Sequence, residues 1–318
     1  MADPHPYRPP ALLAGSLGLH AASLAALALA PRHWPAVAGT LFANHVVLAA
    51  ASLWPRGGLV GENLTSLPES AAERGEVCLT FDDGPDPEVT PRVLDLLESA
   101  RARATFFCIG RRVEAHPGLA AEIARRGHRV ENHTWAHSNR FACSLPPALR
   151  REIGRAQEAI GAATGLRPRY FRAPAGLRNP FVDWVLHGAG LRLVAWTRRG
   201  FDAVQKDPAA ITRRLLHGLA PGDVLLLHDG NAFRNGGNPA VLEVLPRVLD
   251  ALAARSLRCV PFYAEGESSR AAPPPGPSPQ PSPILPPPDR ERERLQANAE
   301  APSSPGGGRE DGRGGPGR

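Results

Sequence analysis

Glu76-Val77-Cys78-Leu79-Thr80-Phe81-Asp82-Asp83-Gly84-Pro85 decides how the rest of this 318-residue chain is read. An apolar run of strand length delivers two adjacent carboxylates into a Gly-Pro turn, so the acids are expected at the strand's C-terminal end. Two like charges that close call for a cation. Taken alone, an Asp-Asp-Gly could equally cap the next helix. Further along, His133 and His137 stand four apart, Arg172 stands two residues before Pro174, and His228 follows another apolar run and precedes Asp229. Together these are the parts of a mononuclear metal hydrolase.

Around this stretch, from about 75 to 263, short apolar runs alternate with helical patterns, as in repeated βα units on a parallel sheet. Strands are expected at Val77 to Phe81, Ala104 to Ile109, Arg129 to Asn132, Tyr170 to Arg172, Leu193 to Trp196, Val224 to Leu227 and Leu257 to Phe262. Thr90-Pro91, Ser144 and Asp207-Pro208 read as helix starts, with a side-chain cap or a proline in the first turn. The expected fold is an α/β, irregular (β/α)7 barrel, with a doubly wound open sheet as the alternative. In either, Asp82, Asp83, His133, Arg172, Trp196 and His228 follow or end their strands and converge on one face.

Outward of this domain the composition changes. Residues 1–60 hold two Ala/Leu-rich stretches, Ala11 to Ala30 and Pro35 to Trp54, free of charged residues and each long enough to span a bilayer. Trp34 and Trp54 fall where interfacial aromatics are expected. A two-helix, multi-pass anchor in a bacterial-type inner membrane is the leading reading, ahead of a signal-anchor or soluble helices. Arg32 in the turn against Arg8 and Arg56 outside it leaves the side of the membrane open. Residues 61–74 read as a linker. From 264 to 318 runs of Pro, Gly and mixed charge predict a disordered tail, because such a sequence buries too little apolar surface to offset ordering entropy.

The formal charge of +6 comes from scattered arginines with only 6% aromatic residues, which argues against nucleic acid as a partner. Four cysteines show no zinc spacing; Cys78, Cys108 and Cys259 lie in apolar runs and Cys143 in a loop, so they leave the redox compartment open.

The ordered motifs Thr80-Phe81-Asp82-Asp83-Gly84-Pro85, His133-Thr134-Trp135-Ala136-His137, Arg172-Ala173-Pro174, Trp196 with Asp202, and Leu226-Leu227-His228 resemble the NodB-type polysaccharide deacetylases. These are metal-dependent carbohydrate esterases, and the resemblance runs from Glu76 to about Pro261. The residues themselves suggest a metal site of Asp83, His133 and His137, with the two histidines on one side of a helical turn. One divalent ion is expected, zinc by default, with cobalt, nickel or iron open.

By the resemblance, Asp82 is the catalytic base acting on a metal-bound water, and Arg172 pairs with it. His228 is the acid that protonates the departing amine, with Asp202 holding it charged. The N–H of Ala175, after Pro174, would face the oxyanion, and Trp196 and Leu226 would wall an acetyl pocket unless they are plain core. The implied reaction removes an N-acetyl group from an amino sugar in a polysaccharide, oligosaccharide or glycolipid. The alternatives are a deformylase or deacetylase of a lipid-linked sugar, and an inactive glycan-binding module. Ala175 replaces a frequent Tyr, Arg199 a frequent acid and Ala203 a frequent Trp, which puts long glycans in doubt as substrate.

Overall fold

The structure is a computed structural model that describes residues 6–231, 234–235 and 238–267. Beyond residue 267 the expected tail lies outside the described residues.

The chain opens with α1 (Ala11–Leu29) and α2 (Trp34–Ser52), joined by a 3-10 turn at Pro31–His33. After α3 (Glu69–Glu73) the alternating part begins with β1 (Glu76–Asp82), α4 (Thr90–Ser99), β2 (Ala104–Cys108), α5 (Gly110–Ala115) and α6 (Pro117–Arg125). It continues through β3 (Arg129–Asn132), α7 (Pro146–Thr164), β4 (Tyr170–Phe171), α8 (Val182–Ala189), β5 (Arg192–Leu193) and β6 (Arg198–Arg199). Next come α9 (Pro208–Leu216), β7 (Val224–His228), and a small antiparallel ribbon of β8 (Arg234–Asn235) with β9 (Asn238–Pro239). The helix α10 (Ala240–Ala254) and β10 (Arg258–Cys259) close the described fold.

The main sheet has the order β5-β4-β3-β2-β1-β7-β6, with β10 paired to the start of β1, and every pairing in it is parallel. Its two terminal strands, β5 and β6, belong to one short run of chain from Arg192 to Arg199. Leu64 lies parallel to Val194 between them, so the sheet curls back toward itself. The fold is the curled parallel sheet of an incomplete, irregular barrel. The single strand expected over Leu193 to Trp196 is in fact split, because the chain leaves β4 at Leu193 and joins β7 only at Arg198.

Period-two geometry positions the site. On β1, Val77, Leu79 and Phe81 enter the outer core with Val93 and Leu97 of α4 and Val244, Leu245 and Val248 of α10. Cys78, Thr80 and Asp82 therefore share the opposite, inner face. On β7, Leu225 and Leu227 join the outer core, Val224 and Leu226 the inner one, and His228 follows on that inner side. With both faces covered, β1 is buried along its whole length, as a parallel strand between layers should be. Each fully buried Leu or Phe contributes about 1.5–3 kcal/mol, so register is held firmly and carries the polar residues inward with it.

Two helix starts differ from expectation. Asp207 does cap α9, accepting from the Ala209 N–H, but Thr90 is already inside α4 and Ser144 precedes Leu145 at the start of α7 without capping it. The Thr90 hydroxyl is engaged elsewhere, accepting from the Asp86 N–H and donating to Asp229.

Helices α1 and α2 pack on each other, with Asn44 donating to Ser16 Oγ at 2.8 Å, and present Leu17, Leu24, Phe42 and Val46 outward. By length and composition both are able to cross a bilayer.

Candidate metal centre and active site

Asp83 follows the last residue of β1 with a left-handed backbone, φ 73°, which turns its carboxylate toward the loop after β3. Its Oδ1 lies 3.4 Å from His133 Nε2 and 3.2 Å from His137 Nε2. Among the described residues these three form a group able to hold a metal ion, with one ligand atom from each inside a 4.8 Å span. They are not on a helical turn as expected. Residues 133–138 form a loop in which Thr134 (φ 62°) and His137 (φ 52°) are left-handed. Asn132 accepts from the Thr134 N–H, Thr134 Oγ1 from the His137 N–H, and Glu152 from the Ala136 N–H, so side chains replace the helical bonds.

The donor set fits a cation on two counts. Asp83 Oδ1 is buried and has no hydrogen-bond partner among the described residues, a costly state for a carboxylate oxygen unless a positive charge meets it. His133 Nδ1 is 2.8 Å from the Arg172 carbonyl, which can only accept, so Nδ1 carries a proton and Nε2 is the nitrogen turned toward Asp83. Burial would raise the Asp83 carboxyl, but the neighbouring imidazoles of His133, then His137 and His228, hold it below the usual carboxylate range. Burial and the neighbouring His133 push His137 down. His133 is also opposed by burial, yet the charges of Asp82 and Asp83 and its hydrogen bonds carry it upward.

Asp82 sits beside this group, with Oδ2 3.9 Å from His133 Nε2 and Oδ1 2.7 Å from an Arg172 amino nitrogen. Arg172 is fully buried and every arm is used: that same nitrogen donates to Thr80 Oγ1 at 2.8 Å, the other to the Ala195 carbonyl at 2.7 Å, and Nε to the Val194 carbonyl. The planar fork thus ties β1 to the run after β5, which a lysine could not do.

His228 ends β7 and is the register partner of Asp82. Asp202 is fully buried and grips it twice, Oδ1 to the imidazole Nδ1 at 2.8 Å and Oδ2 to the His228 N–H at 2.8 Å. Burial alone would lower this imidazole; the charge and hydrogen bond of Asp202, followed by Asp82 and Asp83, raise it to about 9. Pro174 is buried, and Ala175 after it is exposed with φ 54°. Trp196 and Leu226 are both buried in the inner apolar cluster with Phe107 and Tyr170.

Asp229, noted in the sequence as the acid after His228, was given no role of its own there and lies against the site. It is fully buried, accepts from Thr90 Oγ1 at 2.5 Å, and is pushed up to about 7 by burial and then by the Asp83 charge. A Cβ on Gly84 would run into its carboxylate, so the glycine of the Asp-Asp-Gly-Pro turn is required by close approach. The acid directly after His228 was the available signal.

Comparison with known proteins agrees with this arrangement. Residues 69–194 match the polysaccharide deacetylase family model. A chitooligosaccharide deacetylase of Sinorhizobium fredii is 38% identical over 168 residues, covering 52% of this chain and 78% of the relative. A peptidoglycan-N-acetylglucosamine deacetylase of Bacillus cereus is 32% identical over 59% of this chain and 66% of the relative. Among solved structures, a family 4 carbohydrate esterase from Streptomyces lividans in complex with acetate superposes with a TM-score of 0.54, at 31% identity over 58% of this chain and 92% of that one. With the motifs on the inner rim of a curled parallel sheet and relatives matched over most of their length, this chain belongs to the polysaccharide deacetylase family.

Proposed function

We propose that this chain is a divalent-metal-dependent hydrolase that removes the N-acetyl group from an amino sugar in an oligosaccharide, a polysaccharide or a glycolipid. The observation that carries the reading is the pairing of roles across one strand junction. Asp82, oriented by Arg172, and His228, charged through Asp202, stand side by side next to the Asp83, His133 and His137 group. Relatives named for deacetylation of chitooligosaccharide and of peptidoglycan support the same bond type.

Asp83, His133 and His137 would hold the ion, zinc by default for two imidazoles and a carboxylate, with cobalt, nickel and iron compatible with the same ligands. When bound, such an ion lowers the pKa of a water and polarises a carbonyl oxygen. Asp82 takes the proton from the attacking water, held to that task by Arg172. The Ala175 N–H faces the oxygen on which charge develops. His228, positively charged, gives its proton to the amine nitrogen as the C–N bond breaks, since an amine anion is too poor a leaving group to depart unassisted. Trp196 and Leu226 exclude water from the methyl side. Helices α1 and α2 anchor the catalytic part, residues 75–263, to a membrane.

The test is acetate release from N-acetylglucosamine oligomers by the full chain loaded with zinc or cobalt. Release that depends on the ion and on Asp82 supports the reading. A metal-loaded chain that binds these sugars and releases no acetate from sugar or glycolipid contradicts it, and would favour a glycan-binding module.

A further inference from the structure

One cavity adjoins the reaction centre without belonging to it. It has a volume of about 420 Å³ and is lined by Trp54, Arg56, Trp196, Arg199, Phe201 and Arg214 among others, with no carboxylate in its lining. Arg198, also in the wall, is occupied: it pairs with Asp223 at 2.9 Å and donates to the His217 and Gly218 carbonyls. Among the described residues the other three have no carboxylate partner. Arg56 donates to the Thr197 carbonyl, at 3.2 Å. Arg199 stacks on Trp196 and Phe201, and its Nε is buried with no hydrogen-bond partner among the described residues. Arg214 lies over the Phe201 ring from α9. Two exposed guanidinium groups, Arg56 and Arg214, and the half-buried Arg199 with its orphaned buried N–H converge on one cavity, a donor set suited to an anion.

The cavity also joins two other features. Trp196 is shared with the catalytic rim, since the Arg172 guanidinium lies 5.8 Å from its ring and the Arg199 guanidinium 5.2 Å from it. Trp54 and Pro55 come from the end of α2, and a Cβ on Gly176, next to Ala175, would collide with Pro55 and Trp196. The end of the apolar hairpin is therefore packed against the loop that borders the site. A substrate that reaches this cavity and the site together can come from the membrane surface.

Resting on the deacetylase reading, we infer that this cavity is a phosphoryl-binding subsite for a lipid-linked N-acylated amino sugar. Arg56, Arg199 and Arg214 receive the phosphate or diphosphate, the sugar lies over Trp196 toward Asp82, and the lipid chain leaves past Trp54 along α2. Arg199 in place of an acid then has a use: an acid there would repel the phosphate.

The test uses the full, metal-loaded chain in phosphatidylcholine nanodiscs and measures binding of polyprenyl-diphosphate-linked N-acetylglucosamine against a polyprenyl glycoside of the same sugar without phosphate. The diphosphate compound should bind at least about tenfold more tightly, as charge-assisted hydrogen bonds in a partly desolvated site require. A double Arg199→Gln, Arg214→Gln variant should erase that preference, and Arg213→Gln, outside the cavity on the same helix, should keep it. Equal binding of the two lipids, a preference untouched by the double variant, or equal displacement by phosphatidylglycerol doped into the disc would overturn the subsite. Acetate release from the bound lipid is read separately: its absence with the binding preference intact overturns the reaction and leaves the subsite standing.

Discussion

Asp82 and His228 are direct partners in the parallel pairing of β1 with β7, and each is held by its own buried counter-charge, Arg172 for the acid and Asp202 for the imidazole. The strand register that buries Leu79, Phe81, Leu225 and Leu227 on the outer face places these two residues side by side on the inner one. A carboxyl group and an imidazole, the proposed base and acid, are thereby fixed next to the same candidate ion site.

The first consequence concerns Asp82. Replacement by Asn keeps the shape and the Arg172 contact but removes the proton acceptor. Turnover is expected to drop by about 10²–10⁴ with metal content unchanged. Steady-state kinetics alongside metal analysis check this; turnover near the wild-type level would remove Asp82 from the role of base.

A pH profile tests His228. Its proton is held up to about pH 9, so the rate should decline as pH rises through that value. Asp202→Asn removes the main support, and the descending limb should move to lower pH. The same shift has a stability sign. A folded pKa above the ordinary 6.5 stabilises the native state fully below about 6.5, and the contribution is lost as pH climbs toward 9. A limb that stays in place in the Asp202 variant would contradict the pairing.

Much of this was legible in the sequence and some was not, for identifiable reasons. An apolar strand run ending in Asp82-Asp83, and the location of Arg172 and His228 at strand ends, already point from the sequence to a candidate site on one rim. The four-residue spacing of His133 and His137 names the candidate ligands but not the backbone: a helical turn satisfies it, and so does the observed loop through left-handed Thr134 and His137. Side-chain bonds from Asn132 and Thr134 decide between them, and periodicity does not register those. Thr90 looked like a cap because Thr before Pro is a common helix start; its hydroxyl is instead taken by Asp229 across 139 positions of chain. Arg178, only 2% exposed and donating to the Gly57 and Glu62 carbonyls, gave no sequence signal, since its partners are backbone atoms of the segment expected as an anchor end and linker.

Arg172 should be structural as well as functional. Arg172→Met strands the buried Asp82 carboxylate and frees the Val194 and Ala195 carbonyls, for an expected loss of about 3–5 kcal/mol. Denaturant unfolding of the wild type and variant measures it; a loss under about 1 kcal/mol would mean the pair is solvated in solution.

Asn132 supports the ligand loop without touching the candidate ion site. It donates to the Ile153 carbonyl at 3.0 Å and to Gln157 at 2.9 Å while accepting from the Thr134 N–H. Asn132→Ala should weaken metal affinity by about 10–100-fold, as loss of an orienting neighbour does. Competition with a chelator reads the affinity, and an unchanged value would show that the loop holds its shape without Asn132.

The most direct measurement is the metal content of the purified full chain after equilibration with zinc and removal of excess. The account predicts one ion per chain in the wild type and almost none in Asp83→Ala or His133→Ala, with Asp82→Asn still loaded. A wild type that retains no ion, or an Asp83→Ala chain that retains it as tightly, would contradict the centre on which the proposed reaction rests.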